Sequence, residues 1–176
     1  MVDTDIGPDC DDVGALCILH ELRRQGAAEI LAITCCASHY WGPCCVSAIN
    51  RYYGDSAIPI GQCPRKYFLS GKQFQKYNRP MTTRFPLKEP QKFLPALQVL
   101  RQSLAAAMYG SVVLVTIGPL NNIADLLRSG PDDCSPLSGI ELAAAKIRKI
   151  VLMAGCFEPS KQAANFAEWK IGRAHV

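Results

Sequence analysis

Met1-Val-Asp-Thr-Asp-Ile-Gly-Pro-Asp-Cys-Asp-Asp-Val-Gly-Ala-Leu16 opens the chain, and its reading decides the fold. Val2 and its neighbours have the character of a strand end. Val13, Leu16, Cys17, Leu19 and Leu22 then form an apolar stripe at helical spacing. Between them Gly7 and Pro8 bend the chain. The stretch is therefore a strand–turn–helix unit, and the turn carries Asp3, Asp5, Asp9, Asp11 and Asp12. Free N–H groups at a helix start favour one or two carboxylates there. They do not account for five. Two carboxylates ~4 Å apart repel by about 1 kcal/mol in water and about 4 kcal/mol at an effective dielectric of ~20. A hard divalent cation removes that cost, and calcium or magnesium suits oxygen ligands best. The plainer alternative is a solvated acidic loop with one capping Asp.

The same alternation continues outward. A first helix is expected from about Asp12 to Gln25, closed by Arg23, Arg24 and Gly26. Within it His20 is expected to be a core or surface histidine. Glu29–Thr34 is an almost wholly apolar strand, as in a parallel sheet covered on both faces. A helix over Val46–Tyr53 and a short strand at Ile58–Gly61 follow. Leu94, Leu97, Leu100, Leu104 and Met108 mark a helix between Gln91 and Tyr109. Val112–Ile117 is a buried strand, Glu141–Lys149 a short helix and Ile150–Gly155 a further strand. The expected class is α/β: one domain built on an open, mainly parallel sheet with helices on both faces. In such sheets ligands bind beyond the carboxyl ends of the strands, where the acidic turn lies.

Residues 63–92 break the pattern. Arg65, Lys66, Lys72, Lys76, Arg79, Arg84, Lys88 and Lys92 are interleaved with Tyr67, Phe68, Phe74, Tyr77 and Phe85. Basic plus aromatic residues suit single-stranded nucleic acid. The commoner meaning is an irregular, solvated excursion with aromatic anchors, and that is the expectation here.

Composition narrows the class. Hydrophobic residues make up 49% and charged ones 19% of the 176, which describes a core-forming globular protein. A net charge of +4 is too modest to imply a nucleic-acid partner, and an acidic site would oppose one. The nine cysteines are an odd count lying mostly in apolar runs, as buried free thiols in a reducing compartment would. Cys35, Cys36, His39, Cys44 and Cys45 lack the Cys-x-x-Cys spacing of structural zinc. No run is long enough to span a membrane and no signal-peptide pattern is present, so a cytoplasmic protein is expected. Only two residues precede Asp3, which leaves room for a longer native N-terminus.

Asp3-Thr4-Asp5-Ile6-Gly7-Pro8-Asp9-Cys10-Asp11-Asp12 resembles the Asp-rich signature of the inosine–uridine-preferring nucleoside hydrolases, in a variant with two extra residues between Asp-x-Asp and Asp-Asp. Gly118-Pro-Leu-Asn-Asn-Ile-Ala124 is similar to that family's Gly-Pro-Leu-Thr-Asn-Ile-Ala, with Asn121 in place of Thr. Ile150–Gly155 resembles its Val-Val-Met-Gly-Gly, and Gln162–Trp169 its Ala-Glu-Phe-Asn segment. The resemblance implies metal-dependent hydrolysis of the N-glycosidic bond of ribonucleosides, with Ca²⁺ the expected ion and Mg²⁺ second. It implies metal ligation by Asp5, Asp12 and the backbone oxygen of Ile117, with Asp5 also the general base. Asp11, Met153, Asn165 and Glu168 would contact the nucleoside, while Asp3 and Asp9 remain structural or outer groups. His39 stands near a position where the family usually offers Asn, so substrate contact and packing are both open for it. The expected partner is a small nucleoside, and a homo-oligomer is compatible with the sequence.

The resemblance covers residues 2–169, the N-terminal part of the family's domain. Its His-Asp pair, a group near the leaving base and a further metal ligand, has no counterpart here. Ile171–Val176 reads as an in-frame translation of a sequencing adapter, with Lys170 at the junction; native coding sequence through these codons would end that reading. Two alternatives stay open: an Asp-nucleophile phosphatase, though Ile6-Gly7 lacks the usual Gly-Thr, and a ribose- or metal-binding protein without turnover.

Overall fold

The computed structural model describes residues 1–86 and 91–153. Its strands are β1 (Val2–Thr4), β2 (Ile33–Cys35), β3 (Ile60–Gln62), β4 (Leu94–Pro95), β5 (Val112–Thr116) and β6 (Ile147–Leu152). They form one sheet in the order β4-β3-β2-β1-β5-β6, and every neighbouring pair is parallel. The helices are α1 (Asp11–Arg24), α2 (Trp41–Tyr52), α3 (Asn78–Arg84), α4 (Ala96–Ala106), α5 (Asn121–Arg128) and α6 (Gly139–Lys146). The open parallel α/β architecture is as expected.

Two apolar layers sandwich the sheet. One gathers Val2, Ile33, Ile6, Leu16, Val46, Ile49 and partly buried Met81 beneath α1, α2 and α3. The other gathers Met1, Ala32, Val112, Leu114, Leu100, Leu104, Ile123 and Leu142 beneath α4, α5 and α6. Successive strand residues point to opposite faces, so Met1 and Val2, or Ala32 and Ile33, feed different layers. The chain progresses β1, β2, β3, β4 to one side, then crosses back to place β5 and β6 on the other. The reversal lies between β1 and β5, and the carboxyl ends of the strands at such a reversal are where open sheets place their ligand crevice.

Several boundaries differ from the sequence expectation. α2 begins at Trp41, five residues early, with Pro43 in its first turn, where a missing N–H costs nothing. β6 begins at Ile147, inside the expected helix; the capping box of Ser138 and Glu141 starts α6 earlier, at Gly139. The basic segment is not simply an irregular solvated excursion. It contains a 3-10 turn (Lys72–Phe74) and α3, whose Asn78 and Thr82 are buried. α3 has no apolar stripe of its own and is held by packing against its neighbours.

Polar staples lie away from the crevice. His20 is a buried core histidine between Asp55 (2.9 Å) and Asn50 (2.9 Å), stacked on Tyr53. Arg101, 1% exposed, bonds both carboxylate oxygens of Asp132 at 2.7 and 2.9 Å, Ser129 Oγ at 2.8 Å and the Leu137 carbonyl at 2.9 Å. It ties α4 to the loop between α5 and α6. Eight described cysteines are free thiols, and Cys35, Cys36, Cys44, Cys45 and Cys63 are buried. No described helix is long and apolar enough to cross a membrane.

Candidate metal and ribose site

The acidic turn leaves β1 at the sheet's reversal. Strand alternation divides its first residues between the two faces. Asp3 points towards α5: its Oδ1 accepts from Thr34 Oγ1 and from Asn122 Nδ2 (2.8 Å), while Oδ2 is buried without a partner among the described residues. Burial pushes its pKa up to about 7, against the pull of those two hydrogen bonds. Thr4 points the other way and its hydroxyl donates to Asp12 Oδ1. This bond fixes the first turn of α1 against the end of β1.

Asp9, Asp11 and Asp12 converge. Each offers a carboxylate oxygen, and these oxygens lie within 4.8 Å of one another. Asp12 is 3% exposed, and its backbone N–H donates to Asp11 Oδ1 (3.0 Å). Burial, reinforced by the charge of Asp5, pushes Asp12 up to about 8. Burial, reinforced by Asp9 and Asp11, pushes Asp5 up to about 6. Asp9 is raised by its hydrogen bond with Asp11, by burial and by repulsion from Asp11. The Tyr77 hydroxyl is buried beside this group without a described partner, and its pKa is raised by burial and by the Asp12 charge.

Across the crevice, β5 ends and Gly118 follows. A Cβ on Gly118 would lie 2.9 Å from Asp5 Oδ1, 2.9 Å from Asp5 N and 2.8 Å from Cys36 Sγ. The bare glycine is what lets the Asp5 carboxylate lie over the start of the α5 unit. Ile117, just before it, donates its N–H to the Asp3 carbonyl (2.9 Å) and packs beneath the α1 layer. Asn121 and Asn122 anchor this turn to β2: their side-chain amides donate to the Cys36 and Cys35 carbonyls, both at 3.1 Å. Met153 closes the row at the end of β6, its N–H on the Thr116 carbonyl at 2.9 Å.

The donor set suits a hard cation. Carboxylate oxygens are gathered at a strand end, and burial and mutual repulsion hold Asp5 and Asp12 towards their protonated forms. A divalent ion relieves both costs at once. Of the residues expected from sequence, Asp5, Asp11, Asp12, Ile117 and Met153 all fall at this end of the sheet. Asp9 joins Asp11 and Asp12 rather than standing apart. Asn165 and Glu168 lie outside the described residues.

For one residue left open by the sequence the structure decides, and one member was missed. His39 is buried, and its Nδ1 accepts the Gly42 N–H at 3.0 Å, which places the ring proton on Nε2. Burial lowers its pKa, so it packs as a neutral imidazole. Asn78 is wholly buried and donates from Nδ2 to the Ile6 carbonyl (3.0 Å), 72 residues away in sequence. An Asn in a basic, aromatic-rich stretch gave no sign of this.

Comparison with known proteins agrees with the geometry. Residues 1–172 match the family described as inosine-uridine preferring nucleoside hydrolase. Among solved structures, a plant nucleoside hydrolase, the PpNRh1 enzyme, superposes with a TM-score of 0.59 at 20% identity, over 88% of this chain and 47% of that one. The likeness is one of fold, and this chain spans about half the length of the plant enzyme. No match is found among curated protein sequences. The family match leaves the phosphatase alternative without support. With nearly all of its length matched and its acidic turn at the sheet's reversal, the chain belongs to the inosine-uridine preferring nucleoside hydrolase family.

Proposed function

We propose that this chain carries the metal- and ribose-binding part of a hydrolase that splits ribonucleosides into ribose and free base. The observation that supports it most is the convergence of Asp9, Asp11 and buried Asp12 at the β1–β5 reversal, with half-buried Asp5 beside them, coupled to the group by charge and lying opposite Gly118. Asp5, Asp12 and the Ile117 carbonyl would hold the ion, with calcium favoured over magnesium because a cluster of flexible carboxylates suits its looser coordination. When bound, the ion supplies positive charge that makes a water more acidic at neutral pH.

The chain's own residues would do the rest. Asp5 takes a proton from the attacking water as it approaches C1′ of the ribose, and the C1′–N bond electrons leave with the base. Asp11, at the rim of the turn, accepts hydrogen bonds from ribose hydroxyls, and by resemblance Glu168 and Asn165 would contact the ribose as well. Negative charge beside the sugar favours an oxocarbenium-like transition state. Met153 offers an apolar, adaptable contact to the nucleoside. A small nucleoside is the proposed partner, and a homo-oligomer is compatible with this reading.

The test incubates the 176-residue chain with inosine and with uridine and measures reducing sugar. Release that chelator abolishes and calcium restores supports hydrolysis. Calcium-dependent ribose binding without release would assign the chain binding alone, and the absence of both release and binding refutes the proposal.

A further inference from the structure

We infer that Asn78 is a positioning residue for the acidic turn: it sets the path of Ile6–Gly7 and through it the spacing of the carboxylates on either side. The inference rests on the metal-site reading above and concerns a residue remote from it in sequence. Asn78 is fully buried at the start of α3. Its Nδ2 donates to the Ile6 carbonyl at 3.0 Å and lies 3.5 Å from His39 Nδ1. Its Oδ1 accepts the Arg79 N–H at 2.7 Å, and its own carbonyl accepts from Thr82 Oγ1 at 2.7 Å. The side chain is therefore held from both ends and cannot follow the turn if the turn shifts.

The opposite wall is equally close. Gly7 has φ +154°, and a Cβ there would meet the Phe74 carbonyl at 2.3 Å and Asn78 Nδ2 at 2.5 Å. The Lys76 N–H donates to the Gly7 carbonyl at 3.0 Å. Segment 74–78 thus grips both carbonyls of the Ile6–Gly7 pair. Asp5 immediately precedes this pair and Asp9 follows it by two residues. Because β1 is only three residues long, the strand alone anchors the turn weakly. His39, which receives the Gly42 N–H, backs Asn78 from the β2 side. The basic segment consequently has a task in the acidic site that needs none of its charges.

Calcium titration calorimetry on the 176-residue chain, well below the melting temperature, tests this. Asn78→Leu removes both side-chain bonds while keeping the same branched skeleton, and adds no charge. It is expected to weaken calcium binding 10- to 100-fold, the range typical of residues that orient metal ligands. Asn78→Ala, which adds no bulk, is expected to do the same and serves if the Leu variant misfolds. Arg101→Met, equally buried but on the other layer, lowers the melting temperature and is expected to leave calcium affinity within twofold. Wild-type affinity in both Asn78 variants overturns the positioning role and leaves the metal site standing. Equal weakening by Arg101→Met also overturns it, because affinity would then follow stability alone. No calcium uptake by the wild-type chain overturns both readings together.

Discussion

Replacing Asp12 by Asn separates what the carboxylate does for binding from what it costs the fold. In the metal-free protein the Asp12 pKa lies at about 8, against an ordinary value of 3.8. Between those values the native state holds a proton that the unfolded chain has shed, so the native state binds more protons. Stability therefore falls as pH rises through this window, by about 1.4 kcal/mol per pH unit. Across it the loss is on the order of 5 kcal/mol, reached near pH 8. Asp12→Asn cannot ionise and escapes it. The variant forfeits part of the Thr4 hydrogen bond and buries an amide without a full set of partners, costing about 1–3 kcal/mol. The net expectation at pH 8 in chelator is that Asp12→Asn is more stable than wild type by about 2–4 kcal/mol. For a chain of this length that is a rise in Tm of at least about 4 °C. Saturating calcium closes most or all of that gap: at a hundredfold excess over Kd it stabilises wild type by about 2.7 kcal/mol and leaves the variant unmoved. Thermal melts at pH 5 and pH 8, with chelator and with calcium, read all of this. A variant less stable than wild type in chelator at pH 8, or raised by calcium to the same extent, would refute the reasoning.

Other substitutions probe single links. Thr4→Val deletes the hydroxyl that donates to Asp12; with that bond gone the Asp12 pKa rises further, and calcium affinity at pH 7 should fall about tenfold by calorimetry. Gly118→Ala forces a methyl to within 3 Å of Asp5 and Cys36 and should lower calcium affinity more than tenfold, with a drop in Tm of a few degrees. Arg101→Met leaves the Leu137 and Ser135 carbonyls and Asp132 without their common donor, a loss of about 3 kcal/mol by denaturant unfolding. A thiol reagent should label exposed Cys10 in the native protein, and Cys35, Cys36, Cys44, Cys45 and Cys63 only after unfolding, read by peptide mass mapping.

The first strand–turn–helix was legible because its features are local: an apolar strand end, a Gly-Pro bend, crowded carboxylates and a helical stripe. The sheet's parallel character was legible in the two-sided apolar strands, and with it the site's place at their carboxyl ends; the reversal between β1 and β5 came only with the strand order. What the sequence concealed depends on distant packing. Five Asp residues crowded between positions 3 and 12 do not reveal which face each takes; the pleat sends Asp3 to Thr34 and Asn122 while Thr4 alone reaches Asp12. α3 contains Pro80 and two consecutive threonines, poor helix formers that signal a loop, and forms only because α2 covers it. β4 is two residues long and includes Pro95, which an edge strand tolerates and no periodicity shows. Asn78 was hidden for the same reason: its meaning lies in Ile6.

Calorimetric titration of calcium into the metal-free wild-type chain at pH 7, repeated in two buffers of different ionisation enthalpy, is the most direct test of the metal site. The expected result is uptake of one ion with release of about one proton, since Asp12 must ionise to bind. Heat that is absent, or binding that releases no proton and persists in Asp12→Asn, would contradict it.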